Sequence, residues 1–443
     1  MTVPHRAALP AAARAAAGGT CTASTGPDAG TAAGAARARS PRAGLLAVAL
    51  TAALAAGCGS TAAATGTRAS PQAAIRLPLV TSLTVPGGAS WAVVDMGGSS
   101  AQHENFWQLI ARPAAAAQWS LATPPGVADN GGLVGASLGG ASLAAGFNPS
   151  QGLTFSPLAI TRDGGTHWVP GLLPAGLAAV PSALAAGPGG RLIALTNRGL
   201  AEMSAPGGTG WTRLASLASL AATPAGRACG LKSLTAAAFS LSGLPLLAGQ
   251  CASPGVTGIF AYAGGSWRPA GPAMPAALAQ RRISVLQLAT AGRRTIALLT
   301  ATAPDGAASL TAGWASASGR WTLSGALQLG SARVLSTASG TGAGPFPPLA
   351  GSVANPRTAS SAGVILSTGQ AETVVDGAGW QQLPTLPRHA AALVLGPGRL
   401  ISVLAPDGGV LTAWNLTAAA RSHAVTWTRT QAMKVPIPFG SSG

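Results

Sequence analysis

His103 and Glu104 stand side by side in Gln102-His103-Glu104-Asn105-Phe106-Trp107, the densest polar-aromatic run of the chain. A histidine and a carboxylate are ordinary tools of proton transfer, and tryptophan is favoured where partners dock. Adjacency along the chain does not bring two side chains onto one reactive atom. The run therefore reads in two ways: as part of a ligand face, with His103, Glu104 and Trp107 as its candidates, or as an exposed loop opening a strand.

Other groups able to do acid–base chemistry are scarce. The 443 residues hold ten Asp and Glu against 27 Lys and Arg, a formal net charge of +17. Beyond Asp28 near the N-terminus the acids are Asp95, Glu104, Asp129, Asp163, Glu202, Asp305, Glu372, Asp376 and Asp407. Asp163, Asp305, Asp376 and Asp407 each precede a glycine, as turn residues do. Few carboxylates remain for the pair that glycoside hydrolysis uses. No Ser-His-Asp order, phosphate loop or metal-ligand cluster stands out, so no catalytic residue, cofactor or metal is expected. The basic residues are mostly scattered arginines, with Arg281-Arg282 and Arg293-Arg294 the only arginine doublets. Nucleic acid is therefore not an expected partner. An anionic polymer remains one, because a basic surface attracts polyanions.

The elements that must position these groups show in the tryptophans. Thr161-Arg162-Asp163-Gly164-Gly165-Thr166-His167-Trp168 reads as a tight turn between two strands, with the Trp opening the second. Decayed versions end at Trp211, Trp267, Trp321, Trp380 and Trp427, and upstream at Trp119, with returns of 43 to 59 residues. A period near 50 in Val-, Leu- and Ala-rich strands broken by Gly and Pro predicts an all-β, seven-bladed propeller, with six or eight blades as alternatives. Unit four parses into strands at 234–240, 244–249, 257–264 and 266–271. Gly-Pro-Gly, followed by Arg-Leu-Ile, recurs in units three and seven, at 187–193 and 396–401. Unit six resists parsing, because residues 345–363 read as a long inserted loop. Each closing Trp is expected to bury its ring between neighbouring sheets.

The N-terminal part has another character. Residues 1–57 read as a disordered leader followed by a signal segment: Arg37, Arg39 and Arg42 precede the apolar run 43–57. Residues 58–75 read as a flexible tether and 76–443 as the propeller domain. Cys21 and Cys58 belong to the leader and its end, which leaves Cys229 and Cys251 as the one pair available in an oxidising compartment, and a disulfide between them is expected.

Two resemblances add to this reading. Leu54-Ala55-Ala56-Gly57-Cys58-Gly59-Ser60 resembles the lipobox of bacterial lipoproteins, with Ala55 where that family usually carries Leu. The resemblance implies a lipid on Cys58 and a protein held on the outer face of the cytoplasmic membrane. Thr161-x-Asp163-x-Gly165-x-x-Trp168 is similar to the Asp-box, or BNR repeat, of sialidase-like and photosystem-assembly-factor-like propellers. It implies a structural role for Thr161, Asp163, Gly165 and Trp168, away from any ligand. Sialidases also use an Arg triad and a Tyr–Glu pair, whereas this chain has the single tyrosine Tyr262. The expectation is a monomeric, non-catalytic binding or assembly propeller of the envelope, recognising an envelope protein or anionic polymer. A sialidase-like glycoside hydrolase is the alternative.

Overall fold

The computed structural model describes residues 75–85, 89–96, 106–114, 116–124, 133–147, 158–171, 181–196, 198–208, 210–341, 360–398, 400–418 and 425–436. The leader, Cys58, nearly all of the tether, His103 and Glu104 lie outside these residues. The described residues form an all-β propeller. Seven antiparallel meanders follow one another at 75–121, 133–171, 181–216, 231–269, 282–328, 334–382 and 392–434, here called blades 1 to 7; each has four strands, the outer one of blade 5 being broken into Trp321–Leu323 and Leu327–Gln328. Blade 4 consists of Leu231–Phe239, Pro245–Cys251, Gly258–Ala263 and Ser266–Pro269, close to the spans read from the sequence. In blade 6 the first two strands are Val334–Thr341 and Ser360–Leu366, and most of the stretch read as an insert falls outside the described residues.

Both faces of a blade are covered, so its strands are apolar throughout rather than alternating. In blade 7, Val403, Leu416 and Trp427 face blade 6, while Leu404, Leu411 and Ala413 face blade 1. The same holds around the ring. Leu109 and Leu133 share the core of blades 1 and 2, and Ile160 and Leu192 that of blades 2 and 3. Leu195 meets Phe239 between blades 3 and 4, Ile259 meets Ile283 between blades 4 and 5, and Trp314 meets Val364 between blades 5 and 6. The core of blades 1 and 2 also takes in Val394 and Leu404 of blade 7, so the ring closes through apolar packing.

Each closing tryptophan lies in the core shared with the preceding blade. Trp211, Trp267, Trp321, Trp380 and Trp427 do so for blades 3 to 7, Trp168 for blade 2, and Trp119 where blade 1 meets blade 7. Three of them add the same hydrogen bond. The indole N–H of Trp321 donates to Ala270 O (2.7 Å), that of Trp380 to Gly325 O (3.0 Å) and that of Trp427 to Pro384 O (3.3 Å). Each acceptor lies three or four residues beyond the previous blade's tryptophan, so the repeat is also a chain of blade-to-blade contacts.

Two features depart from a plain repeat. The inner strand of blade 1, Ile75–Thr84, pairs in parallel with the inner strand of blade 6, Val334–Thr341. Blade 7's inner strand, Ala392–Leu395, is short and packs onto blade 6 at Gly340, where a Cβ would come within 1.9 Å of Leu395 O. Two short helices, Leu217–Ala221 and Pro224–Cys229, precede blade 4. The sequence reading did not anticipate them, since neither spans two full turns. Ser216 and Ser219 form a capping box, Thr223 caps the second helix and Gly230 ends it in the left-handed region. Cys229 and Cys251 are bonded as expected, tying that helix end to the second strand of blade 4.

Candidate functional site

The turn at 161–168 is held by its own polar groups. Thr161 Oγ1 donates to Asp163 Oδ1 (2.8 Å) and accepts from Gly165 N–H (3.0 Å), while His167 N–H donates to Asp163 Oδ1 (2.9 Å). The His167 ring meets Asp163 Oδ2 at 2.7 Å, and the Trp168 indole donates to Gly165 O (3.1 Å). The His167 backbone N–H, then its ring, then the Thr161 hydroxyl hold the Asp163 carboxyl well below its ordinary value. Gly165 has φ +101°, and a Cβ there would lie 2.8 Å from Ala122 Cα of blade 1. Thr161, Asp163, Gly165 and Trp168 thus work for the fold at the seam of blades 1 and 2.

Other acids are likewise engaged. Asp376 Oδ2 meets Arg294 Nε at 2.7 Å across the seam of blades 5 and 6, and Asp376 Oδ1 accepts from Thr322 Oγ1 (2.7 Å). Asp305 accepts from Ala307 N–H (2.9 Å) within its turn. Glu202 and Glu372 are buried strand residues of blades 3 and 6, and burial raises the Glu372 carboxyl above its ordinary value. Tyr262 packs on Trp267 with ring centroids 5.2 Å apart.

The proposed ligand face is corrected at Trp107. Phe106–Arg112 is a strand, and Trp107 is 5% exposed within the core of blades 7, 1 and 2. Trp107 pairs with Asp95 on the neighbouring strand, and its ring packs into that shared core. It is not offered to a partner there.

An open concavity lies at the seam of blades 6 and 7. The outer strand of blade 6 is only Gln381–Gln382, whereas blade 7 continues with Ile401–Asp407, Val410–Ala418 and Val425–Lys434. Past the end of the short strand, the loop 385–389 takes over as the facing wall and leaves a pocket of about 370 Å³. Trp414 and Trp427 form its aromatic side, and Arg388, His389, Asp407 and Arg429 bring charge and hydrogen-bonding groups. His389 has φ +61°, the one non-glycine residue in the left-handed region among the described residues. The Trp414 indole N–H is spent on Thr412 Oγ1 (3.0 Å) and that of Trp427 on Pro384 O, so both offer ring faces. Among the described residues Arg388, Arg429 and Asp407 belong to no ion pair within 4.0 Å.

A bulge in the outer strand arranges this wall. The register of Val425–Lys434 slips between Ala413 and Trp414, so that Gln431 pairs with Ala413 and Arg429 with Trp414. Without the slip, residues 427, 429 and 431 would share one face. With it, Gln431 points to blade 1, while Arg429 and Trp427 line the pocket towards blade 6.

No protein-family description and no curated protein matches the chain. Among solved structures it is similar to YCF48 bound to D1 peptide, at 14% identity and TM-score 0.43 over 79% of this chain and 96% of that one. YCF48 from Cyanidioschyzon merolae gives 16% identity and 0.43 over 75% and 95%. The fucose-recognising Aleuria aurantia lectin, a six-bladed propeller, gives 13% and 0.37 over 82% and 96%.

Sequence reasoning missed the pocket residues, which come from four separate segments. Trp414 falls off the closing period, but so do Trp91, Trp107 and Trp314, which are buried in the blade cores, so the period alone does not mark the pocket. Asp407 was read only as a turn residue, and it does end a strand at the hairpin 407–410.

Proposed function

We propose that this chain is an exported, lipid-anchored propeller that binds a partner in the cell envelope and catalyses nothing. The arrangement of carboxylates carries the reading. Among the described residues, Asp163, Asp305 and Asp376 serve turns and seams, Asp95, Glu202 and Glu372 sit within blade strands, and Asp407 is the one carboxylate lining the pocket between blades 6 and 7; Glu104 and Asp129 lie outside the described residues. A glycosidase of the ordinary kind needs two carboxyl groups facing one bond, about 5–10 Å apart. A pocket with aromatic faces, two arginines and one acid suits recognition instead. Thr161, Asp163, Gly165 and Trp168 act as an Asp-box in this reading, with a structural task.

Anchoring rests on the run ending at Cys58. A thioether-linked diacylglycerol with a further acyl chain holds a protein stably at a membrane, since each buried CH2 contributes about 0.8 kcal/mol. Expression with Cys58→Ser should leave an unlipidated precursor. A mature N-terminus elsewhere, free of acyl chains in mass spectra of the wild type, would refute the anchor. For the non-catalytic part, the purified protein should release no product from a sialoside or other glycosides. Turnover that disappears in Asp407→Asn would establish the hydrolase alternative.

A further inference from the structure

We infer that the pocket between blades 6 and 7 is a binding site for an acidic sugar, a hexuronic acid unit of an envelope polysaccharide. The inference rests on the binding-propeller reading and names the ligand class for it. Trp414 and Trp427 have their N–H groups committed within the protein, so what they present is apolar ring surface. Such a surface matches the C–H face of a pyranose ring. Arg388 and Arg429 are exposed, carry no ion pair among the described residues, and can grip a carboxylate through paired N–H donors.

Asp407 narrows the choice. A bare phosphate or sulfate beside it would meet a like charge, whereas a uronic acid carries hydroxyls that donate to a carboxylate as well as the acid that arginine prefers. The pocket's volume of about 370 Å³ lies at the small end of ligand sites, which run from about 300 Å³, and suits one or two sugar rings rather than a folded partner. Residues 58–443 keep a net charge of +13, the +17 of the whole chain less the five Arg and one Asp of residues 1–57, and this adds long-range attraction for a polyanion. The bulge at 429–431 is what turns Arg429 into this pocket rather than towards blade 1.

The test is calorimetric titration of the full-length protein with an oligogalacturonide and, in parallel, with the neutral oligogalactoside of equal length. The acidic oligomer should bind and change the tryptophan fluorescence, and the neutral one should bind about ten-fold or more weaker, the loss expected for a charged hydrogen bond. Arg388→Gln/Arg429→Gln, two exposed changes, should weaken the acidic oligomer by a similar factor while leaving the melting temperature in place. Trp414→Phe should weaken both oligomers, because the smaller ring stacks less surface. No binding of the acidic oligomer, equal binding of the neutral one, or an unchanged double variant would each overturn the proposal. Displacement of the oligomer by a peptide with a free C-terminal carboxylate, at lower concentration than the sugar itself needs, would overturn it in favour of a peptide site. If the double variant still retains envelope material in a pull-down as the wild type does, the binding function stands and this site falls. Retention by neither would count against the function as well.

Discussion

Gln431 clasps Trp119 with both ends of its amide: Trp119 N–H donates to Gln431 Oε1 and Gln431 Nε2 donates to Trp119 O, each at 2.8 Å. The two residues lie 312 positions apart and join the last strand of blade 7 to blade 1. The Arg112 guanidinium covers the same Trp119 ring at 4.8 Å, and burial lowers that group's pKa. All four strands of blade 1 come from the N-terminal side and all four of blade 7 from the C-terminal side, so no shared blade fastens the ring. Closure falls to side chains, to the core they cover and to the parallel pairing of blades 1 and 6. Gln431→Ala should therefore cost about 1–3 kcal/mol. Hydrogen exchange should rise first at Trp119 and its neighbours. Uniform exchange over all blades would show that the clasp does not govern closure.

Trp321 separates the two contributions of a closing tryptophan. Trp321→Phe keeps an aromatic ring and leaves Ala270 O without its donor, a loss of about 1 kcal/mol. Trp321→Ala also removes partly buried ring surface and should cost about 2 kcal/mol more. Urea unfolding of the two variants checks the order, and equal losses would contradict it.

Asp163 is exposed and its carboxyl is depressed, so its stabilisation is present above the unfolded value near 3.8 and is lost as pH falls through the lower folded value. Asp163→Ala should lower the melting temperature at neutral pH and differ less from the wild type in strong acid. Trp168→Ala should cost more at every pH, about 2 kcal/mol, because packing against blade 1 does not titrate. Trp168 is only partly buried, which keeps this below the cost of emptying a closed core.

Glu372 has the opposite sign. Burial raises its folded pKa above the ordinary 4.5, so the folded state holds the proton more tightly and stability falls as pH rises from there through the raised value. Glu372→Gln should flatten that slope and raise the melting temperature at pH 8 relative to the wild type. A variant with an unaltered slope between pH 4 and 8 would show that the carboxyl is satisfied in its charged form.

Much of the architecture was legible in the order of residues, because each blade must solve one problem locally. A closing tryptophan, a Gly-rich turn before it and short apolar strands repeat wherever a sheet must be covered by its neighbour. Period and residue type therefore announced the propeller, and the pairing of Cys229 with Cys251 followed from the few cysteines. Tertiary structure decided what depends on distant segments meeting. Trp107 was a candidate for a ligand face beside His103 and Glu104, yet packing between neighbouring blades buries it in the core. Gln431 and Arg429 share a parity in the sequence, and a bulge visible only in the pairing register sends one to close the ring and the other into a pocket. Side-chain alternation is a local property of each strand, whereas closure joins residues hundreds of positions apart whose meeting no local period encodes.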